Sequence, residues 1–273
     1  MYNENGDVML VSMKNILIER PVFQFNINNL EWTKAILEEV NELKNPVILG
    51  VSENAIKYMG GYKVVSQIVK NLIDELEIKV PVVLHLDHGK SIESCKKALE
   101  AGFTSVMIDA SNYSLEENIN ITKEVVKLAQ KYNASTEAEI GSINGNYTNI
   151  NDVLKIVWET KIDALAPAVG NIHGIYKKKP KLNYELIKEI KNKTNIPLVL
   201  HGGSNLPDEI LKQLIESGIN KININTDLQI AWAKGIKKYL KSNKKEYDPR
   251  KILEPGSEEI KKVVKNKIAI LPK

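Results

Sequence analysis

Cysteine is nearly absent. Cys95 stands alone among 273 residues, so no intrachain disulfide can form, and a reducing compartment is expected. Arginine is almost as scarce: Arg20 and Arg250 are the only two, and every other formally basic residue is lysine. Nucleic-acid binders concentrate basic residues, arginine in particular, on one element. Here lysines alternate with glutamates in runs such as KSIESCKKALE and YELIKEIKNK, which read as solvated helix faces, and no nucleic-acid partner is expected. The net charge of +4 suits an anionic small molecule without demanding one. A basic start leading into a long apolar core is missing, as is any run of about 18 apolar residues. Neither a secretion signal nor a membrane partner is therefore expected, and the expected location is cytoplasmic. A glycine-rich GxGxxG turn is also missing, which weakens the case for a doubly wound nucleotide-binding sheet.

What the chain does contain is a repeated alternation. Hydrophobic residues make up 43% and charged residues 26%, ordinary for a globular protein. Eight short apolar runs, Val22–Ile27, Pro46–Ser52, Pro81–His88, Ser105–Ser111, Ser135–Gly141, Asp163–Val169, Pro197–Gly203 and Lys221–Thr226, read as strands. Between and after them lie stretches with helical spacing: Leu30–Leu43, Tyr62–Leu76, Glu93–Ala101, Leu115–Tyr132, Asp152–Thr160, Tyr184–Lys193, Pro207–Ser217 and Asp227–Leu240. Eight β units alternating with eight α units predict an α/β fold, a single (β/α)8 TIM barrel formed by residues 1–273. From about Lys241 a polar loop containing two prolines, followed by a short helix, is expected.

The four histidines carry the chemistry. His85 and His88 close the third strand in HLDHG, His173 follows the sixth in VGNIHG, and His201 ends the seventh in LVLHGG. Parallel barrels gather their C-terminal strand ends at one rim, where active sites form. Side chains alternate along a strand, so His85 and Asp87 share a face, while His88 sits where the chain leaves the strand. His88, His173 and His201 are therefore the candidate ligands, and three imidazoles leave zinc an open position for substrate. Asp87 is the candidate proton-transfer group beside them. Glu137 and Glu139, two apart in TEAEIG, share a face of the fifth strand. They either support the ligand histidines from behind or belong to a polar network inside the barrel. Gly174 and Lys177 after the sixth strand, Gly202, Gly203 and Ser204 after the seventh, and Asn223, Asn225 and Thr226 at the eighth form a candidate phosphate site. Backbone N–H groups and a helix N-terminus favour an anion there.

The motifs FNINNLE, GVSENAIKYMGGY, HLDHG, SVMIDAS, EAEIG, HGIYK, LVLHGGS, NINTD and YDPRKIL, in this order, resemble those of the class II fructose- and tagatose-bisphosphate aldolases over nearly the whole chain. The resemblance implies a Zn2+ cofactor on His88, His173 and His201 that polarises the ketone of dihydroxyacetone phosphate, with a monovalent cation as a further candidate. It implies that Asp87 exchanges the C4 hydroxyl proton, and that Gly174, Lys177, Gly202, Ser204, Asn223 and Thr226, with help from Ser52, hold the phosphate and backbone of the substrate. Arg250 resembles an arginine that reaches a second phosphate in a neighbouring subunit, which implies a homodimer or higher homo-oligomer. The loop GSINGNYTNINDV is shorter than the family's mobile loop and carries Asn146 and Tyr147 where acids are common, so no C3 base is assigned. Asn225 and Gln229 stand where the family often has aspartate and arginine respectively, which leaves tagatose 1,6-bisphosphate or a related keto-sugar phosphate as alternatives to fructose 1,6-bisphosphate; Asn112 stands in place of a common histidine. A Schiff-base aldolase would need a lysine at a strand end inside the barrel; Lys221 opens its strand, at the opposite rim. A hydrolase of this fold would commonly carry an HxH pair on the first strand, which is missing. A sugar-phosphate-binding member without turnover is the remaining alternative.

Overall fold

A computed structural model describes residues 10–176, 178 and 180–272. In chain order the elements are α1 (Met13–Leu17), β1 (Val22–Asn26), α2 (Leu30–Glu42), β2 (Val47–Ser52), α3 (Glu53–Tyr58), α4 (Tyr62–Glu75), β3 (Val82–Gly89), α5 (Ile92–Ala101), β4 (Ser105–Ile108) and α6 (Leu115–Gln130). The second half adds β5 (Ser135–Ile140), α7 (Ile150–Thr160), β6 (Ala164–Pro167), α8 (Tyr184–Thr194), β7 (Leu198–Leu200), α9 (Asp208–Glu216), β8 (Ile219–Ile224), α10 (Thr226–Ser242) and α11 (Pro249–Ile268). All strand pairings are parallel, each strand bonds to the next, and β1 pairs with β8 through Val22–Lys221 to Phe25–Ile224. The eight strands form a closed barrel, as the alternating pattern predicts.

Strand alternation divides the core in two. Outward residues such as Phe23, Phe25, Leu49, Leu84, Leu86, Leu165, Ile222 and Ile224 pack against the helices in one large cluster. Burying a side chain of this size contributes about 1.5–3 kcal/mol. Inward residues at the N-terminal end form a second, smaller cluster: Val22, Ile48, Val83, Ala164, Ala166 and Val199, closed from below by Met13, Ile16 and Leu17 of α1. Above this apolar floor the inward positions turn polar, with Gln24, Asn26, His85, Asp87, Ser105, Glu137, Glu139, Lys221 and Asn223 all buried. The barrel is therefore greasy at one end and hydrogen-bonding at the other.

Local signals place the helices. Asn29 accepts from the Trp32 N–H to start α2, Ser114 and Glu117 form a reciprocal capping box on α6, and Gly102 ends α5 in the left-handed conformation.

Three elements depart from the expectation. α1 and α3 are additional one- to two-turn helices that the hydrophobic period does not reveal. The tail is not a proline-broken loop leading to a short helix. Pro249 occupies the first turn of α11, where a missing N–H costs nothing, and Pro255 lies inside the same 20-residue helix. α11 packs across α10 and α2, and the contact is close because two glycines allow it. A Cβ on Gly235 would sit 2.4 Å from the Pro255 carbonyl oxygen, and one on Gly256 would sit 2.6 Å from the Trp232 ring. The packing thus sustains a helix that local propensity disfavours. Gly235→Val is expected to lower unfolding stability by about 1–3 kcal/mol by overpacking this crossing; chemical denaturation against the parent measures it, and an unchanged midpoint would show that the crossing relaxes freely.

Candidate metal and active site

The arrangement begins with a break in β3. Its pairing with β4 shifts register between Leu86 and Gly89, and His88 adopts φ +52°, a left-handed conformation that is uncommon for a residue other than glycine. Strict alternation would turn His88 outward, since His85 and Asp87 face in. The extra residue re-aims it, as bulges beside active sites do. His88 is therefore the last residue but one of β3, where the sequence reading ended the strand at it. Gly89 permits the bulge: a Cβ there would lie 2.7 Å from the Met107 carbonyl oxygen.

His88 then meets two other imidazoles. His201 follows β7 and is buried, whereas His173 sits in the exposed loop after β6. The His88 ring centroid is 4.5 Å from that of His201 and 5.0 Å from that of His173, and the rings are tilted 72° in both pairs. One nitrogen from each of the three lies within 4.8 Å of the others. Behind them the hydrogen bonds assign tautomers. Glu137 Oε1 lies 2.9 Å from His201 Nε2 and Asp109 Oδ2 lies 3.0 Å from His88 Nδ1. Carboxylates only accept, so both of those nitrogens carry hydrogen. The remaining nitrogens, His201 Nδ1 and His88 Nε2, face one another across 2.8 Å, a gap that a proton on His88 can bridge. Two converging ring nitrogens with a third imidazole alongside could exchange that proton for a cation, and the donor set fits a divalent metal with an open position.

The surrounding charges are strongly coupled. Burial opposes charge on His88, but the Asp109 hydrogen bond and the nearby Asp87 and Glu139 carboxylates outweigh it and push its pKa up to about 9. Burial and the facing imidazoles hold His173 down to about 4. Glu139 is pushed up to about 8 by burial and by neighbouring Asp109, whereas Asp109 falls to about 2 because its hydrogen bonds to His88 and Ser111 outweigh its burial. His88, Asp109 and Glu139 form a second group whose ligand atoms lie within 4.8 Å. Asp109, the residue after β4, was not singled out in the sequence. Its signal was an acidic residue near the C-terminal end of the fourth apolar run, at the same rim.

Asp87 lies beside the imidazoles, 6% exposed. Burial alone would raise its pKa, yet His88, His201 and Lys221 hold it well below the usual carboxylate range. Two amides orient it: Asn26 Nδ2 donates to Oδ2 at 2.8 Å and Asn223 Nδ2 to Oδ1 at 3.3 Å. Asn26 ends β1 and faces inward by the same alternation, although FNINN did not mark it as functional.

The candidate phosphate residues fall into two sets. Ser204 Oγ accepts from the backbone N–H groups of Asn225 and Asp227 at 3.1 and 3.3 Å, tying the loop after β7 to the start of α10. Gly202, at φ +71°, runs so close to Ile172 that a Cβ would overlap its carbonyl oxygen, and Gly174, at φ +86°, faces open space. Asn225 precedes Thr226, the first residue of α10, without capping it, and its buried Oδ1 has no partner among the described residues. Ser52 ends β2, where its Oγ accepts from the Ala55 N–H at 3.3 Å. Lys177 lies outside the described residues. Arg250 is not joined to this group: it projects from α11, 89% exposed, with Nε and Nη2 on Asp248 at 3.0 and 2.9 Å. Lys221 is also misplaced by the sequence reading. It is the third residue of β8, fully buried within the barrel, and its ammonium lies 2.7 Å from Glu137 Oε2. It is ion-paired and closed to solvent, which removes it as a Schiff-base nucleophile.

A parallel barrel with a three-imidazole cluster backed by carboxylates at its C-terminal rim has the anatomy of a metal-dependent barrel enzyme. The comparisons narrow that class. The family described as "Fructose-bisphosphate aldolase class-II" matches residues 19–273, and the chain belongs to this family. A fructose-bisphosphate aldolase of Geobacillus stearothermophilus is 48% identical over 274 aligned residues, covering 95% of this chain and 96% of that protein. Among solved structures, the YdjI aldolase of Escherichia coli K12 superposes with a TM-score of 0.86 at 30% identity, covering 96% of this chain and 97% of that one. The fructose-bisphosphate aldolase of Campylobacter jejuni gives a TM-score of 0.82 at 25% identity over 96% and 95% of the two chains. No helix among the described residues is long and apolar enough to cross a membrane.

Because Asp109 fixes the orientation of His88, Asp109→Asn is expected to weaken metal affinity roughly 10- to 100-fold. Competition with a chromophoric chelator reads this directly, and an unchanged affinity would remove Asp109 from the support of His88.

Proposed function

We propose that this class II aldolase is zinc-dependent and reversibly cleaves a ketose 1,6-bisphosphate to dihydroxyacetone phosphate and an aldehyde such as glyceraldehyde 3-phosphate. The observation that carries the reading is the convergence of His88 Nε2 and His201 Nδ1, 2.8 Å apart, with Asp87 adjoining the group. His88, His173 and His201 would hold the ion. Bound there, zinc supplies electrophilic polarisation of a substrate carbonyl.

The chain's own residues do the rest. Asp87 is aimed by Asn26 and Asn223 and takes or returns the C4 hydroxyl proton as the C3–C4 bond breaks or forms. Asn223 Oδ1 and Asn225 Oδ1 are buried acceptors without partners among the described residues, suited to substrate hydroxyls. The phosphate rests on Gly174, Lys177, Gly202, Ser204 and Thr226, with Ser52 from β2. There, Gly174 leaves the backbone open to close approach, and the start of α10 adds its dipole.

Fructose 1,6-bisphosphate is the first substrate to try, since the Geobacillus and Campylobacter relatives bear its name; tagatose 1,6-bisphosphate is the second, in view of Asn225 and Gln229. Arg250, exposed on α11, would serve a neighbouring subunit in a homodimer or larger homo-oligomer. The reaction belongs to carbohydrate metabolism, and a cytoplasmic location is part of the proposal.

Cleavage of both bisphosphates, followed through triose phosphate release with zinc and with a chelator, tests the reading. Chelator-sensitive cleavage is expected, and failure to release triose phosphate from either sugar with zinc present would overturn it. Asp87→Ala is expected to retain metal while losing roughly 10²- to 10⁴-fold in kcat, and full turnover in that variant would remove Asp87 from proton transfer.

A further inference from the structure

Below the histidines lies a charged pair that the reaction does not use. Lys221 and Glu137 are both wholly buried, with Nζ 2.7 Å from Oε2. Barrel interiors are ordinarily filled with branched apolar side chains, as Val22, Ile48, Val83 and Val199 fill the floor just beneath. Taking two charges out of water is costly even when they pair. An apolar residue at position 221 would pack that layer at less cost, so the ammonium calls for a reason.

The geometry supplies one. Glu137 presents two oxygens to two different partners. Oε2 is gripped by Lys221, and Oε1 meets His201 Nε2 at 2.9 Å. A competitor stands close by. His85 Nε2 is buried without a hydrogen-bond partner and lies 3.7 Å from Oε2, while its Nδ1 is engaged by Ser105 Oγ at 2.7 Å. Freed from the ammonium, the Glu137 carboxylate has an unsatisfied imidazole to turn toward. Held by it, the carboxylate keeps Oε1 on His201.

We propose that Lys221 is a positioning residue for the metal centre: its ammonium anchors Glu137 by one oxygen, so that the other holds His201 with Nε2–H inward and the Nδ1 lone pair toward the mouth of the barrel. This rests on the reading of His88, His173 and His201 as a metal site. Lys221 touches neither substrate nor metal, and acts through two intermediaries that span the barrel from β8 to β5 to β7. The sequence offers no hint of this, since Lys221 and Glu137 are 84 residues apart.

The test is titration of the metal-free protein with Co2+, reading affinity and the visible d–d spectrum, for the parent chain and for Lys221→Met. Methionine fills a similar volume without charge or donor. A loss of affinity of roughly 10- to 100-fold is expected, as for other groups that orient ligands, together with an altered d–d spectrum. A purely structural lysine would shift the thermal midpoint and leave both readouts unchanged, and that result would overturn the proposal. Should Lys221→Met not fold, Lys221→Leu removes the ammonium with the kind of side chain that fills the floor, leaves Glu137 in place and is read the same way: weakened Co2+ binding supports the anchor and parental binding overturns it. If the parent chain itself binds no Co2+, the metal-site reading fails and this inference falls with it, whereas parental binding with an indifferent Lys221→Met overturns the inference alone.

Discussion

Closure of β8 onto β1 is the constraint on which everything else depends. Because every pairing is parallel, all strand C-termini emerge at one rim, and residues far apart in the chain face a common axis. Without the Val22–Lys221 to Phe25–Ile224 ladder the sheet would splay. Asp87 on β3 would then lose the Asn26 amide of β1 and the Asn223 amide of β8 that now hold its two oxygens. Closure also dries the interior, which makes paired charges strong and unpaired ones expensive.

That dry interior is arranged as a gradient. Apolar residues and the α1 plug seal the floor, the Lys221–Glu137 pair sits above them, and the imidazoles and carboxylates lie at the mouth. Each layer constrains the one above: the floor excludes water from the ion pair, and the ion pair fixes the carboxylate that His201 meets. The left-handed conformation at His88 breaks regular pairing in β3 and is the clearest strain in the site. The price is set against a ligand histidine that faces inward beside Asp87, where a regular strand would offer only one of the two.

Much of this was legible in the chain. The eight apolar runs lie on the eight strands, and the longer periodic segments lie on helices, because a strand buried on both faces reads as a continuous apolar run and a helix covering it reads as an amphipathic stripe. The three histidines singled out as ligands do lie together, since strand ends in a parallel barrel meet. Less legible were features decided by contact. Pro255 reads locally as a helix breaker, yet α11 runs through it because Gly235 and Gly256 let α10 approach. The short helices α1 and α3 have too few turns for a periodic signal. Lys221 looked like a residue at the far rim, since its strand starts two residues earlier than its apolar pattern suggested and only the inward pleat carries its ammonium to Glu137.

The sequence by itself determined the class of fold, the rim at which chemistry gathers and the residue types available there. Periodicity and strand-end position are local properties, and the parallel barrel converts them into place without further information. Tertiary structure alone decided which side chains share a rung: Asp109 behind His88, Asn26 and Asn223 on Asp87, Lys221 and Glu137 beneath His201. Those partnerships depend on register between strands and on a one-residue bulge, and a shift of one residue turns every side chain to the opposite face.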